Sequence, residues 1–226
     1  MLFMHTEKLF NHDQYQRQFE AKILSVEGSQ VVLDKTCFFP QGGGQVGDTG
    51  TINGIKVIDT KKSEDAKTVF HIMEKENAFS IGDSAKGEVD WERRYKIMKL
   101  HSADHFVSFF MQQVFSGCKY ASSGVVDDKK SRIDYIFEQN NFDKEKLKLA
   151  EQKTNEFLKE EHEIKTWSEK DNPDYMYWSC DMNGTEFKMP CGGTHPKNTS
   201  EIGTVKIEKG KNPGGGKVRI EITLSG

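Results

Sequence analysis

The chain has 226 residues, 35% of them hydrophobic, and a net charge of −3, and this length fits a small domain joined to a medium-sized one. It contains no apolar run near the roughly 20 residues that span a bilayer, and its polar N-terminus differs from a signal peptide, so we expect a soluble, cytoplasmic protein with no membrane partner. The slightly negative charge excludes a protein that coats nucleic acid without selectivity, because phosphate binding needs clustered lysine and arginine.

The first ninety residues have the pattern of a small β-barrel. Alternating or continuous apolar residues with turn signals between them predict strands at 19–26, 31–34, 50–59, 67–73 and 85–91. The Asn53-Gly54 pair predicts a hairpin turn, because both residues tolerate the positive φ of a type I′ turn. Several short strands without a convincing helix predict a barrel of five or six strands over residues 1–90.

Residues 91–226 form the second predicted domain, which mixes helices with an antiparallel sheet and makes the fold class α+β. Hydrophobic periodicity predicts a helix at 94–115, which Gly117 stops. Charge spacing predicts a second helix at 143–162, capped by Asn141 or Asp143. Strands are predicted at 120–126 and 131–137, and a hairpin at 201–209 and 216–224.

The segment FFPQGGGQVGDTG at 38–50 is unusually rich in glycine. The absence of Cβ atoms at Gly42, Gly43 and Gly44 lets the backbone approach a ligand and point N–H groups at it. The segment is not a P-loop, because no GK[ST] follows, and we expect no nucleotide cofactor. A tight barrel loop is the alternative explanation.

Two pairs of residues have the spacing of metal ligands. His101 and His105 lie four apart on the predicted helix, and Cys191 and His195 lie four apart across Gly192-Gly193. One thiolate and three imidazoles suit one Zn²⁺ per chain. Four protein ligands ordinarily form a closed structural site, so a catalytic role requires that one of them, such as His195, sits back, or that the metal expands to five-coordinate. A structural zinc staple and a buried polar pair are the alternatives.

Basic residues are concentrated in two segments. Residues 91–99 hold four basic and one acidic residue, and residues 205–221 hold five basic and two acidic residues. Candidate RNA contacts are Arg93, Arg94, Lys206, Lys209, Lys211, Lys217 and Arg219. Two solvated faces without a ligand are the alternative.

Three motifs together, GGGQ-x-GDTG, DWERRYKIMKLHSADH and MPCGGTHPKNTSEIG, resemble those of the alanyl-tRNA editing proteins of the AlaX type and of the matching editing domain of alanyl-tRNA synthetases. The resemblance covers nearly the whole chain. It implies that His101, His105, Cys191 and His195 bind zinc, and that residues 91–226 form the editing domain common to threonyl- and alanyl-tRNA synthetases. The glycine-rich motif implies the medium-length form, in which a barrel precedes that domain.

The resemblance also implies an activity: ATP-independent, trans-acting hydrolysis of Ser-tRNA(Ala) and Gly-tRNA(Ala), with the acceptor end of mischarged tRNA(Ala) as the partner. The zinc ligands and Gln45 are then the catalytic residues, and Gly42, Gly43, Gly44 and Thr36 line the amino-acid pocket, where Thr36 holds the serine hydroxyl. The chain departs from the family's usual motifs at Phe39, Gln41 and Asp104. The simplest interpretation of Asp104 is a side chain that faces solvent.

Three other functions compete with this one. Threonyl-tRNA synthetase editing domains carry the same ligand pairs, which leaves editing of tRNA(Thr) open. A zinc-stapled module that binds tRNA without catalysis predicts that metal removal unfolds the chain and that no substrate is turned over. A zinc peptidase is remote, because the general-base glutamate of an HExxH helix is missing.

Overall fold

The computed structural model describes residues 5–138 and 142–225. The chain divides into two compact units. The first unit takes in Met1–Gly42, Val46–Tyr95 and Lys170–Asp174, and the second takes in Gly43–Gln45, Lys96–Glu169 and Tyr175–Gly226. The glycine-rich segment is therefore shared between the units, and Gln45 belongs to the second.

The first unit contains a closed barrel of six strands, with the order β2-β3-β7-β6-β5-β8. The strands of this unit are β1 (Glu7–Lys8), β2 (Gln18–Glu27), β3 (Gln30–Leu33), β4 (Lys35–Thr36), β5 (Gly50–Ile52), β6 (Ile55–Lys62), β7 (Val69–Met73) and β8 (Ser84–Val89). All barrel pairs are antiparallel, whereas β1 pairs with β4 in parallel. Asn53 and Gly54 have φ values of 48° and 78°, so the predicted hairpin turn is confirmed.

The GDTG part of the glycine-rich segment locks the barrel unit internally. Asp48 is 1% exposed, accepts a hydrogen bond from the Phe39 N–H (2.6 Å), and forms an ion pair with Arg94, which is also 1% exposed. Arg94 donates further to the Cys37 carbonyl (2.7 Å). The prediction that Arg94 contacts RNA is therefore wrong, because its guanidinium is buried and bonded to Asp48 and to the Cys37 carbonyl.

Among its described residues, the second unit combines two α-helices with a four-stranded antiparallel sheet and a three-stranded sheet. Its elements are α1 (Trp91–Val114), β9 (Lys119–Val126), β10 (Ser131–Ile136), α2 (Lys144–Lys159), β11 (Ile164–Glu169), β12 (Asn172–Asp181), β13 (Glu186–Pro190), β14 (Thr204–Lys209) and β15 (Lys217–Ser225). The first five residues of α1 and the first three of β12 belong to the first unit. The sheets have the strand orders β14-β15-β10-β9 and β11-β12-β13, and in the second of them β12 and β13 are antiparallel.

The start of α2 and the end of α1 agree with the predicted cap residues, whereas α1 begins three residues earlier than predicted and α2 ends three residues earlier. Asp143 caps α2 by accepting from the N–H groups of Glu145 and Lys146, whereas Asn141 lies outside the described residues. Helix α2 is tied to β14, since the Asn155 side chain bonds both the N–H and the carbonyl of Val205. Gly117, with φ of 76°, follows the end of α1, as an αL residue does after a helix.

The predicted fold class, α+β with a small N-terminal barrel, is confirmed. The sheet β11-β12-β13 was not predicted, because charged residues and turn signals interrupt the alternation of residues 164–190. Among the described residues, no helix is long and apolar enough to cross a membrane.

Candidate metal centre

The two predicted ligand pairs meet in the second unit. One ligand atom from each of His101, His105, Cys191 and His195 lies within 4.8 Å of the others. The Cys191 Sγ atom is 3.6 Å from the Nε2 of His101 and 3.3 Å from the Nε2 of both His105 and His195. All three rings thus turn the same nitrogen toward the sulfur, which is the convergence that a single metal ion requires.

Local structure explains how each candidate ligand is positioned. His101 and His105 project from one face of α1, with ring centroids 5.1 Å apart. Cys191 directly follows β13, and its N–H donates to the Met176 carbonyl on β12 (2.9 Å), which extends the strand pairing into the metal centre. The His105 ring packs against Trp178 of β12, with ring centroids 4.8 Å apart.

Gln45 fixes the protonation of His101. The backbone N–H of Thr194 can only donate, so the atom of Gln45 that faces it at 3.0 Å must be the carbonyl oxygen Oε1. That same Oε1 lies 2.8 Å from His101 Nδ1, which must therefore carry the proton. His101 Nε2 is left with a free lone pair directed at the cluster, as a metal ligand needs.

Burial keeps the histidines of this centre neutral. It lowers the pKa of His101 to about 4. The pKa values of His105 and His195 lie well below 6.5, first because both rings are buried and then because neighbouring histidines repel a second charge. Burial also raises the pKa of the Cys191 thiol to about 11. Metal binding must displace that proton, so the affinity for metal increases with pH.

The glycines of both motifs allow close packing at the centre. A Cβ atom on Gly193 would collide with the His101 ring and lie 3.0 Å from Gln45 Oε1. Gly44 has φ of 85°, and a Cβ atom there would collide with the Gly124 carbonyl on β9. The Gly44 carbonyl accepts from the Val126 N–H (2.8 Å), which anchors the segment carrying Gln45 to β9.

Asp104 does not face solvent, so that interpretation is wrong. Its side chain is 6% exposed, and its Oδ2 accepts from the Ser131 hydroxyl at 3.1 Å. Burial raises its pKa to about 7, and the hydrogen bond from Ser131 opposes that rise. A Cβ atom on Gly124 would lie 3.3 Å from the same oxygen, so the carboxyl group lies beneath the part of β9 that meets Gly44.

Thr36 and Gly42 belong to the first unit. Thr36 is fully buried, and its hydroxyl lies 2.8 Å from His71 Nε2 and accepts from the Phe38 N–H at 3.0 Å. Because His71 Nδ1 faces the Val31 carbonyl (3.0 Å), that nitrogen carries the proton, and Thr36 must donate to Nε2. The hydroxyl hydrogen of Thr36 is thus already engaged in the barrel, and its role toward a substrate stays a prediction.

The remaining candidate RNA contacts differ in how strongly they are paired. Lys206 forms an exposed ion pair with Glu208, and Arg219 forms a two-point pair with Asp134. The Lys209 Nζ atom lies 5.0 Å from the centroid of the Phe142 ring. Lys211 is exposed and Lys217 is half-buried. In the first unit, Arg93 donates to the Gly47 carbonyl at 2.8 Å.

Residues that the sequence analysis did not single out complete the centre. Thr194 is fully buried and accepts from Gln45 Nε2 at 2.9 Å, and Ser102 is fully buried with its hydroxyl 2.9 Å from His195 Nδ1. Each lies inside a ligand motif, directly beside a histidine. That position is the only signal for them in the sequence.

Comparison with known proteins gives the family. Residues 4–93 match the family of class II (A) tRNA synthetases, and residues 180–221 match the second additional domain of threonyl and alanyl tRNA synthetases. The chain is 32% identical over 225 residues to the alanyl-tRNA editing protein AlaX-M of Pyrococcus horikoshii, with 97% of this chain and 98% of that protein covered. The chain belongs to the AlaX-M family.

Alanine–tRNA ligases are also similar to this AlaX-M family member. Those of Sulfurisphaera tokodaii and Saccharolobus islandicus are each 34% identical over 96% of the chain. The chain spans only about a quarter of their length, since 26% of each ligase is covered.

Proposed function

We propose that the chain is a trans-acting aminoacyl-tRNA deacylase that removes wrongly attached serine, and also glycine, from tRNA(Ala). The observation that carries the proposal is the cluster of three histidines and one cysteine, two of them buried and two half-buried, in a chain similar over 97% of its length to an alanyl-tRNA editing protein. Hydrolysis of the ester between the amino acid and the terminal ribose is the reaction that removes the error.

The residues of the cluster fit zinc as the metal. Three neutral imidazoles and one thiolate are nitrogen and sulfur donors, which zinc prefers and which magnesium and calcium do not. Bound there, Zn²⁺ supplies a Lewis acid with a net charge of about +1 after neutralisation by one thiolate. The ligands would be His101 Nε2, His105 Nε2, Cys191 Sγ and His195 Nε2.

Gln45 acts on this centre as a positioning residue in our proposal. Its amide oxygen holds His101 Nδ1 while its amide nitrogen holds Thr194 Oγ1, so one side chain joins the helix motif to the CGGTH motif. The contact of Gly44 with β9 at Gly124 keeps that amide in place.

Shape alone separates small amino acids poorly, so preference for serine over alanine requires a group that binds the hydroxyl. Thr36 remains our candidate for that group.

The exposed lysines Lys206, Lys209 and Lys211 of the β14–β15 hairpin are the proposed contacts for tRNA phosphates, with Lys217 and Arg219 on its second strand. Substituting the three exposed lysines by glutamine should weaken binding of tRNA and flatten its dependence on salt, because fewer counterions are released. Lys75→Gln, an exposed lysine outside both basic segments, is the control. An unchanged salt slope would contradict these contacts.

The decisive experiment is release of labelled serine from Ser-tRNA(Ala). The wild type, Cys191→Ala, and wild type stripped by chelator and reloaded with Zn²⁺ are compared, with Ala-tRNA(Ala) as the correctly charged control. Cys118→Ala is the control variant, because Cys118 is a free cysteine of the same unit that lies outside the cluster. We expect release that needs zinc and Cys191, survives Cys118→Ala, and spares Ala-tRNA(Ala).

Two outcomes would overturn the proposal. Faster release from Ser-tRNA(Thr) than from Ser-tRNA(Ala) would assign the chain to threonine tRNA. No release by folded, zinc-loaded protein that still binds tRNA would make it a binding module.

A further inference from the structure

Ser102 occupies a special position on α1, directly after the ligand His101 and three residues before the ligand His105. Its side chain does not contact either of those rings by hydrogen bond. It is fully buried, and its Oγ lies 2.9 Å from Nδ1 of His195, a residue 93 positions away in the chain. Helix α1 therefore presents two ligands of its own and also holds a third ligand that comes from the CGGTH motif.

The geometry determines what this contact does. His195 Nε2 faces the Cys191 sulfur at 3.3 Å, so Nε2 must keep its lone pair if it is to bind a metal. The proton of the neutral ring then sits on Nδ1, which needs an acceptor because the ring is only 2% exposed. The Ser102 hydroxyl oxygen is that acceptor.

From this we infer that Ser102 is a positioning residue that fixes the tautomer and ring orientation of His195 for metal binding. It matches the part that Gln45 plays for His101, but from the helix rather than from the glycine-rich segment. Loss of such a partner to a metal-ligating histidine typically weakens metal binding about 10- to 100-fold.

A purely steric role for residue 102 makes a different prediction. If packing alone mattered, threonine and valine would behave alike there, because they have nearly the same shape and volume. They differ in the hydroxyl, which threonine keeps and valine replaces by a methyl group. The pair Ser102→Thr and Ser102→Val therefore isolates the hydrogen bond even if the extra methyl group disturbs the buried site.

The matched control is Ser108→Ala. Ser108 lies on the same helix and hydrogen-bonds Tyr135 Oη at 2.9 Å rather than a metal ligand. Removing its hydroxyl tests whether any serine on α1 affects metal binding through helix stability. Thermal unfolding of each variant without metal measures that stability directly.

The experiment is competition for Zn²⁺ between each variant and a chelator of known affinity, together with the absorption spectrum of the Co²⁺-loaded protein. We expect Ser102→Val to bind Zn²⁺ at least tenfold more weakly than Ser102→Thr and to show an altered Co²⁺ spectrum, with Ser108→Ala like the wild type. Equal affinities for the threonine and valine variants would overturn the inference.

The inference rests on the proposed function only through its metal centre. No tRNA is present in the competition measurement, so failure of deacylation would leave its result intact. Conversely, if the protein is an active deacylase but Ser102→Thr and Ser102→Val bind Zn²⁺ with equal affinity, the proposed function stands and the positioning role of Ser102 is refuted.

Discussion

Replacing Gly193 by alanine tests how tightly the metal centre is assembled. A Cβ atom at this position would collide with Cε1 and Nδ1 of His101 and lie 3.0 Å from Gln45 Oε1. Ordinary contact of a Cβ atom with such atoms begins near 3.4 Å, so the His101 ring must shift by roughly 1 Å. The ring is buried and bonded to Gln45, so it has no free direction in which to move.

A shift of that size is large for a metal ligand. Zinc–nitrogen distances are about 2.0–2.1 Å and tolerate changes of about 0.2 Å, so a displacement near 1 Å removes His101 from the coordination sphere. The same shift breaks the hydrogen bond to Gln45, whose loss alone would lower metal affinity about 10- to 100-fold. We expect Gly193→Ala to bind Zn²⁺ at least 100-fold more weakly than the wild type and to lose metal-dependent deacylation.

The neighbouring glycine supplies the control. A Cβ atom on Gly192 would have no atom within 4 Å, and neither glycine has a positive φ, so the two alanine variants make similar changes to the chain. Zn²⁺ affinity is measured by chelator competition for both variants, with circular dichroism as the check on folding. Similar affinities for Gly193→Ala and Gly192→Ala would refute the reasoning, because the collision would then have been absorbed without moving His101.

Three further predictions concern the first unit. Thr36→Val removes the donor to His71 and the acceptor for the Phe38 N–H. Denaturant unfolding should therefore show a free energy of unfolding lower by about 2 kcal/mol or more, while Thr36→Ser stays close to wild type. If Thr36 also binds the serine hydroxyl, kcat/KM of Thr36→Val falls more for Ser-tRNA(Ala) than for Gly-tRNA(Ala), and equal losses contradict that role. Burial lowers the pKa of His71 from 6.5 to about 4, so the unfolded chain takes up the proton first, and stability present above pH 6.5 is lost as the pH falls toward 4. In urea unfolding, this pH-dependent loss of stability should be about 3 kcal/mol smaller for His71→Asn than for wild type. Parallel curves of stability against pH for the two proteins would refute this. Asp48→Ala leaves the buried Arg94 without its carboxylate and should cost about 3–5 kcal/mol. Combining Asp48→Ala with Arg94→Met should recover the part of that loss that comes from the unpaired charge, but not the part that comes from the Phe39 N–H, which loses its acceptor in both variants. A double variant as unstable as the single one would argue against this account.

The sequence alone determined the features that depend on local spacing. Asn53-Gly54 accepts positive φ wherever it occurs, so the hairpin could be read directly. Ligand spacing is equally local, because residues four apart on a helix share a face and Gly192-Gly193 permits a turn. Both pairs were therefore predicted, and the structure brings them together.

Only the tertiary structure decided what each polar side chain contacts. Arg93 and Arg94 are indistinguishable in the sequence, yet Arg94 is buried on Asp48, 46 positions away. Gln45 meets Thr194 across 149 positions, and Ser102 meets His195 across 93. Such hydrogen bonds carry no periodic signal, because they depend on how distant segments pack, and packing is set by the whole core rather than by neighbouring residues.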